Sequence, residues 1–472
     1  MAAVTLLGAA VRFSTLDRQS FWFDELVTVT LVRRSFGGML SAIPHSEATP
    51  YLYYVLAWPW TRVFGDGEVG LRSLSAAAGV ATVPVVYAAG RTLCSRPVGL
   101  IAAVLASVEP FLVWYSQEAR SYALFIFFTA LGVLFFARAL DGGRWDLAGW
   151  GVAGALALAT HYFAVFLVVP EAAWLVWRAR RRGEVLVAAC VPVAVFAAQV
   201  PLMLQQRSSG ASSARSALGS RAAGVPKDLA VGYSFPFELA GSVAAAVLLL
   251  AGFALLARTR GGERIGAFVA GGLAATAAVV PYVLAVAGTD YLAARNLAVV
   301  VVPALICVAA GYAVSRSGLL AAAALGALFL AITLSVSLDP GYGRTDWRGS
   351  AGALGPVKAQ RAIVVIPAIS ARIWRVYLPG LHELQRNDAV VDEIAVVGVA
   401  TQGGFSSGAV KPPPPRVATP PPGFRLDRIV HAATFTIVRY RARRGVRVTR
   451  AQLLPLGLTD IPSGILLQRA GA

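Results

Sequence analysis

From the N-terminus to about residue 338, apolar runs of membrane-spanning length alternate with short loops that carry arginine. This pattern constrains the chain more than any single motif. A helix needs about 20 apolar residues to cross a bilayer, and a soluble domain of such composition would have no water-facing surface. The runs fall at 1–16, 71–89, 98–115, 122–137, 147–160, 163–177, 185–204, 237–256, 265–287, 297–314 and 319–336, which predicts about eleven crossings. Composition agrees: 57% of the 472 residues are hydrophobic and only 14% charged, where soluble domains carry about 25% charged residues.

Charge between the runs sets an orientation. With the N-terminus cytoplasmic, the inner loops receive Arg91 and Arg96, Arg138 and Arg144, Arg178 with Arg180, Arg181 and Arg182, Arg258 with Arg260 and Arg264, and Arg316. That is the positive-inside pattern. The net charge of +18 is therefore read as topology, and nucleic acid is excluded as a partner. No basic segment precedes the first apolar run, so no cleavable signal peptide is expected. The run 1–13 is short for a crossing; it either continues to about Leu16 or has lost a few preceding residues. Cys94, Cys190 and Cys307 are far apart and form neither a disulfide framework nor a metal-ligand spacing.

On the outer side the stretch 17–69 holds Asp24 and Glu25 between aromatic residues. It also holds an amphipathic segment, 26–43, and an apolar piece ending near Phe64. That piece, about 14 residues long, is too short to span and is read as interfacial or re-entrant. The loop 205–234, rich in Ser, Ala and Arg, is expected to be mobile. After Asp339 the material changes. Ala362–Ile366, 394–399 and 435–440 read as strands, and 347–359 as a helix. The prolines within 411–423 read as a stiff extended connector. The domains expected are thus 1–338 in the membrane and a small extracytoplasmic α/β domain over 339–472.

Chemistry-bearing side chains gather at the outer ends of the runs: Asp24 and Glu25, His45 with Glu47, Glu118 with Arg120, His161 and Tyr162, Asp290 and Tyr291 with Arg295, and Asp346 with Arg348. A carboxylate can take a proton from an attacking hydroxyl, and a guanidinium fork matches phosphate oxygens. Each cluster also has a structural reading. Asp24 and Glu25 suit a helix N-terminus, Glu118 and Arg120 can anchor a helix end, and His161 can be a hydrogen-bonded packing residue. Arg295 can snorkel, and Asp346 is a good N-cap.

The order of these clusters resembles a known family. Asp24-Glu25 is followed by Pro50-Tyr51-Leu52-Tyr53-Tyr54, then Leu71-Arg72-Ser73-Leu74, then Trp114-Tyr115-Ser116-Gln117-Glu118-Ala119-Arg120-Ser121-Tyr122, then Thr160-His161-Tyr162-Phe163. This resembles the integral-membrane glycosyltransferases of the C-type fold. The nearest branch is the bacterial one related to protein O-mannosyltransferases and the lipid A aminoarabinose transferase. The likeness is clearest over 12–166 and weaker over 291–304 and 345–349. A single Pro50 stands where such enzymes commonly have two prolines, and the tail carries no acceptor-binding signature.

The resemblance implies a polytopic α-helical membrane protein with that fold and a small C-terminal α/β domain, in a bacterial plasma membrane. It implies transfer of a sugar from a polyprenyl-phosphate carrier to an acceptor hydroxyl of a glycan, protein or lipid on the extracytoplasmic face. Asp24 would be the base, supported by Glu25. Arg295 and Arg120 would hold the carrier phosphate, with Glu118, His161, Tyr162 and Tyr291 around the substrate. No cofactor or metal is expected, although an outer carboxylate pair could hold a divalent ion. The alternative is a transporter or flippase of lipid-linked saccharides, which would show polar or broken helices near mid-membrane.

Overall fold

The structure is a computed structural model. It describes the chain except residues 141, 179–181, 211–217, 358–359, 367, 369–370, 379, 385–387, 401–410, 460 and 470–472, and gives the backbone alone for 207–210 and 372. Arg180 and Arg181 of the basic cluster therefore lie outside the described residues. The chain divides into two compact units: Met1–Leu16 with Val27–Ser335, and Asp17–Leu26 with Val336–Ala472.

The first unit is helical. Its elements are α1 (Ala2–Phe13), α2 (Phe23–Val32, which begins in the second unit), α3 (Phe36–Ser46), α4 (Leu52–Phe64), α5 (Glu68–Leu93), α6 (Arg96–Val108), α7 (Pro110–Ser116) and α8 (Tyr122–Ala139). They are followed by α9 (Arg144–Thr160), α10 (Val165–Arg178), α11 (Arg182–Gly210), α12 (Leu218–Val231), α13 (Glu238–Leu255), α14 (Gly261–Val286), α15 (Val301–Tyr312) and α16 (Arg316–Leu338). All the expected crossings coincide with helices. Among the described residues, seven helices are long and apolar enough to span, and the bent pair α6–α7 makes an eighth. The other three, α1, α9 and α10, have 12, 17 and 14 residues. At 1.5 Å per residue they fall short of a core about 30 Å thick.

The bend between α6 and α7 is 57°. Glu109 ends one helix and caps the next, its carboxylate accepting from the N–H groups of Phe111 (3.0 Å) and Leu112 (2.7 Å), with Pro110 at the first helical position. The broken end of α6 leaves orphan carbonyls, which a membrane interior cannot hydrate. Buried Arg12 takes two of them, donating to Ser107 O (2.7 Å) and Ala106 O (3.1 Å). Thr333 takes a third, at Val108 O (2.9 Å). One side chain from α1 and one from α16 thus complete the hydrogen bonding of a helix break.

One expectation over the loops is corrected. The amphipathic segment 26–43 falls on two helices, α2 and α3. Ser35 interrupts it and caps α3, its hydroxyl accepting from Gly38 N (3.2 Å). The stretch expected to be a mobile loop contains α12, whose Val225 is buried with Leu292, Leu297 and Ala285. A continuous apolar face on α12 outweighs the Ser- and Arg-rich composition around it.

The second unit is built on one sheet. Its strands are β1 (Gln360–Ile366), β2 (Leu381–Glu383), β3 (Asp388–Val399), β4 (Phe424–His431), β5 (Phe435–Thr449) and β6 (Gly464–Arg469), in the order β2-β6-β1-β3-β5-β4. Among the described residues, β1 and β3 are the only parallel neighbours. One face carries the aliphatic core, with Val364, Ile394, Val396, Val438 and Tyr440 buried beneath Leu453, Leu456 and Leu458. The helices are α17 (Trp347–Leu354), α18 (Ala371–Tyr377) and α19 (Arg450–Leu453). The expected helix 347–359 ends at Leu354, where Gly355 takes a positive φ of 62°; Ala359 lies outside the described residues. Asp346 caps α17 by accepting from Gly349 N (2.8 Å).

Candidate active site

The motif 114–124 sits at the turn between α7 and α8, and each polar side chain in it has a defined place. Ser116 Oγ accepts from Arg12 Nε (3.1 Å). Gln117 Nε2 reaches the end of α1, donating to Arg12 O (3.1 Å) and Thr15 Oγ1 (2.7 Å). Glu118 is fully buried. Ser75 on α5 donates to the carbonyl of Arg120 (3.2 Å), which fixes the backbone of the turn.

Arg120 is the centre of this arrangement. Its Nη1 and Nη2 donate to Glu47 Oε1 (2.6 Å) and Oε2 (2.8 Å), a bidentate pair with side chains 8% and 2% exposed. Nη1 also donates to the Tyr54 hydroxyl (3.2 Å). Tyr54 in turn stands 3.3 Å from Thr49 Oγ1, and burial pushes its phenol well above the usual range, keeping it protonated. Gln206 continues the network, donating to Thr49 O (3.1 Å) and accepting from the Tyr162 hydroxyl (2.8 Å). The carboxylate in the fork of Arg120 is thus Glu47, 73 residues away in sequence. Sequence reasoning had placed Glu47 in an outer cluster without giving it this role.

His161 begins the turn after α9. Its ring stacks on Phe125 at 4.7 Å between centroids and lies 5.6 Å from Tyr122 and 5.2 Å from Phe163. Burial, together with the positive charges of Arg120 and Arg295, lowers its pKa from 6.5 to about 3. The imidazole is neutral at any physiological pH, and its Nδ1 accepts from Phe163 N (3.4 Å). The structure therefore brings His161 within the electrostatic reach of both arginines proposed from the sequence. Arg295 lies in the first turn of the 3-10 helix Ala294–Val300, which runs directly into α15. Near it the hydroxyls of Tyr115 and Tyr233 are hydrogen-bonded to each other.

The neighbouring candidates separate. Asp290 is held in a two-pronged pair by Arg221 of α12, which also donates to Leu292 O (3.1 Å). That hydrogen bonding holds the Asp290 carboxyl below the usual range, and its role is to tie α12 to the loop before α15. Tyr291 is exposed, with its ring 5.6 Å from Phe163. Asp24 and Glu25 belong to the other compact unit. Both lie in the first turn of α2, where Glu25 Oε2 accepts from Trp22 N (3.0 Å), so Glu25 is buried as a helix-start acid while Asp24 is partly exposed.

Two further features were not read from the sequence. Glu171 lies buried in α10 and accepts from Trp150 Nε1 (2.8 Å). An acid inside an apolar run is itself a functional signal, and it was legible. An apolar cavity of about 250 Å³ opens between α12, α13, α14, α15 and α16, lined by Val225, Leu229, Phe253, Tyr282 and Leu305, with Glu109 at its wall. Among the described residues no three of His, Cys, Asp and Glu converge as metal ligands would.

Residues 48–203 match the family described as dolichyl-phosphate-mannose-protein mannosyltransferase. No curated protein matches the chain in sequence. Among solved structures, ArnT from Cupriavidus metallidurans in the apo state is similar at a TM-score of 0.50 and 15% identity, over 66% of this chain and 59% of that one. The same protein bound to undecaprenyl phosphate gives 0.47 and 15%, over 66% and 60%. The arabinofuranosyltransferase AftD from Mycobacteria gives 0.46 and 14%, over 93% and 39%. The aligned region spans about three-fifths of ArnT. The resemblance read from the sequence is borne out: residues 48–203, which include Arg120 and His161, match the mannosyltransferase family, and the helical unit shares its fold with ArnT.

Proposed function

We propose that this protein is a membrane glycosyltransferase that moves a hexosyl or pentosyl unit from a polyprenyl-phosphate carrier to an acceptor hydroxyl on the extracytoplasmic face. The observation that carries this reading is the buried guanidinium of Arg120, which lies inside the segment that matches the dolichyl-phosphate-mannose-protein mannosyltransferase family. A polyprenyl-phosphate leaving group needs positive charge placed beforehand. We assign Arg295 to the carrier phosphate, with Arg120, held bidentately by Glu47, supporting the field. The carrier's prenyl tail suits the apolar cavity beside α15; ArnT has been observed with undecaprenyl phosphate. Asp24 takes the proton from the acceptor hydroxyl as its oxygen attacks the sugar carbon and the bond to the carrier phosphate breaks.

Transfer from a panel of radiolabelled polyprenyl-phosphate sugars, in membranes with and without the protein, tests the reading directly. One donor of the panel is expected to label an acceptor only when the protein is present. Asp24→Asn should abolish that transfer at unchanged expression and membrane insertion. Arg295→Ala should raise the apparent KM for the carrier about 10- to 100-fold, the loss of a charge-assisted hydrogen bond. An active Asp24→Asn variant would remove Asp24 from the mechanism.

A further inference from the structure

The outer-domain sheet carries a row of charge on the face opposite its aliphatic core. Strand pairing places Arg361 beside Glu393, Glu393 beside Arg441, and Arg441 beside Arg425. One step along, Arg439 of β5 pairs directly with Arg428 of β4. Like charges set opposite each other across two strands cost stability unless something neutralises them.

The available carboxylates do not suffice. Glu393 is buried and already serves three guanidiniums: Arg361 Nε at 2.6 Å, Arg439 Nε at 3.3 Å and Arg441 Nη2 at 3.5 Å. Asp427 stands 3.6 Å from Arg441 Nη1. Arg439 also donates to the carbonyl of Leu354 at the end of α17 (2.6 Å), which fixes its direction. Arg428 is exposed and has no ion-pair or hydrogen-bond partner among the described residues. Arg428, Arg439 and Arg441 line a cleft of about 480 Å³ whose other wall is formed by residues 352–356. The domain's composition points the same way. Residues 339–472 hold 18 Lys and Arg against 8 Asp and Glu, a net +10 out of the chain's +18.

We propose that this cleft binds an oxyanion carried on a sugar-sized molecule, a phosphorylated or carboxylated saccharide unit. The charge excess and the planar forks select phosphate or carboxylate. The volume falls in the range of about 300–1,000 Å³ usual for organic ligands, which is larger than a bare ion fills. A bound anion would also relieve the opposition of Arg428 and Arg439. This site lies wholly in the outer unit, and its test reads binding, so it stands or falls independently of the sugar-transfer reading.

Calorimetric titration of the full-length protein in detergent with glucose 6-phosphate, glucuronate, glucose, inorganic phosphate and glycerophosphoglycerol tests the proposal. The two anionic sugars are expected to bind at least tenfold more tightly than glucose and than inorganic phosphate. Arg428→Gln, at an exposed position, should lower their affinity at least tenfold, as should Arg441→Gln. Arg444→Gln, outside the cleft, should leave it unchanged. The proposal is overturned if Arg428→Gln and Arg441→Gln both bind like the wild type. It is also overturned if inorganic phosphate binds as tightly as the sugars, or if glycerophosphoglycerol alone binds, which would make the cleft a lipid-headgroup site.

Discussion

At the scale of single residues, the buried pair Arg120–Glu47 behaves as one unit. A bidentate pair with both partners desolvated contributes little net stability, but removing one member leaves an uncompensated charge, at a cost of about 3–5 kcal/mol. Glu47→Gln should therefore lower the detergent-solubilised protein's Tm by several degrees, and the double variant with Arg120→Met should recover part of the loss. Equal Tm for single and double variants would show that the pair is not coupled. His161 adds a pH signature. Its imidazole takes a proton below about 6.5 when the chain is unfolded but only at about 3 in the fold. Between these values the unfolded state binds more protons, so stability is full above pH 6.5 and falls as pH drops toward 3. Unfolding followed between pH 7 and 4 should show this loss, and His161→Phe should flatten it. Activity between pH 6.5 and 8 should show no step from this imidazole.

Elements were far more legible in the sequence than their partners were. All the apolar runs became helices, because hydropathy and length act locally, and the strands at 362–366, 394–399 and 435–440 are β1, β3 and β5. Strands β2, β4 and β6 escaped notice. β4 is an edge strand exposed along most of its length and so lacks the apolar alternation that marks a strand, and β2 has only three residues. The site was legible only as a set of residue types at helix ends. Arg120, Arg295 and His161 could be named, but the pairing of Arg120 with Glu47 joins the end of α3 to the turn before α8, 73 residues apart, which no local pattern specifies. Packing at the α5–α6 hairpin is carried by glycine. A Cβ on Gly99 would lie 2.4 Å from the carbonyl oxygen of Tyr87, whereas one on Gly272 in α14 would meet nothing within 4 Å. Gly99→Ala is therefore expected to destabilise by about 1–3 kcal/mol, and Gly272→Ala to be neutral or stabilising by up to about 1 kcal/mol. Parallel thermal unfolding of the two variants checks the contrast; equal Tm values would mean that the helices can separate without cost.

For the molecule as a whole, the distribution of arginine makes a prediction that does not depend on the exact number of crossings. Between Gly183 and the C-terminal unit, among the described residues, lie α11, α13, α14, α15 and α16, with α13 and α15 counted with their flanking 3-10 turns, and all five are long and apolar enough to span. Five crossings would place Gly183 and the C-terminal unit on opposite sides of the bilayer, whether or not the shorter helices α1, α9 and α10 cross. Which side is which follows from charge. Arg178 and Arg182 flank Gly183, and Arg258, Arg260 and Arg264 occupy a loop on the same side, which the positive-inside rule assigns to the cytoplasm. A variant with Cys94, Cys190 and Cys307 replaced by Ala allows a direct test. In it, a cysteine at Gly183, where a side chain meets nothing within 4 Å, should resist an impermeant maleimide in whole cells and react after permeabilisation. A cysteine at the exposed Arg443 should react at once. The reverse pattern would put the C-terminal unit in the cytosol. Asp24 groups with that domain in one compact unit, so the same result would also remove the proposed base from the face where lipid-linked sugars are used.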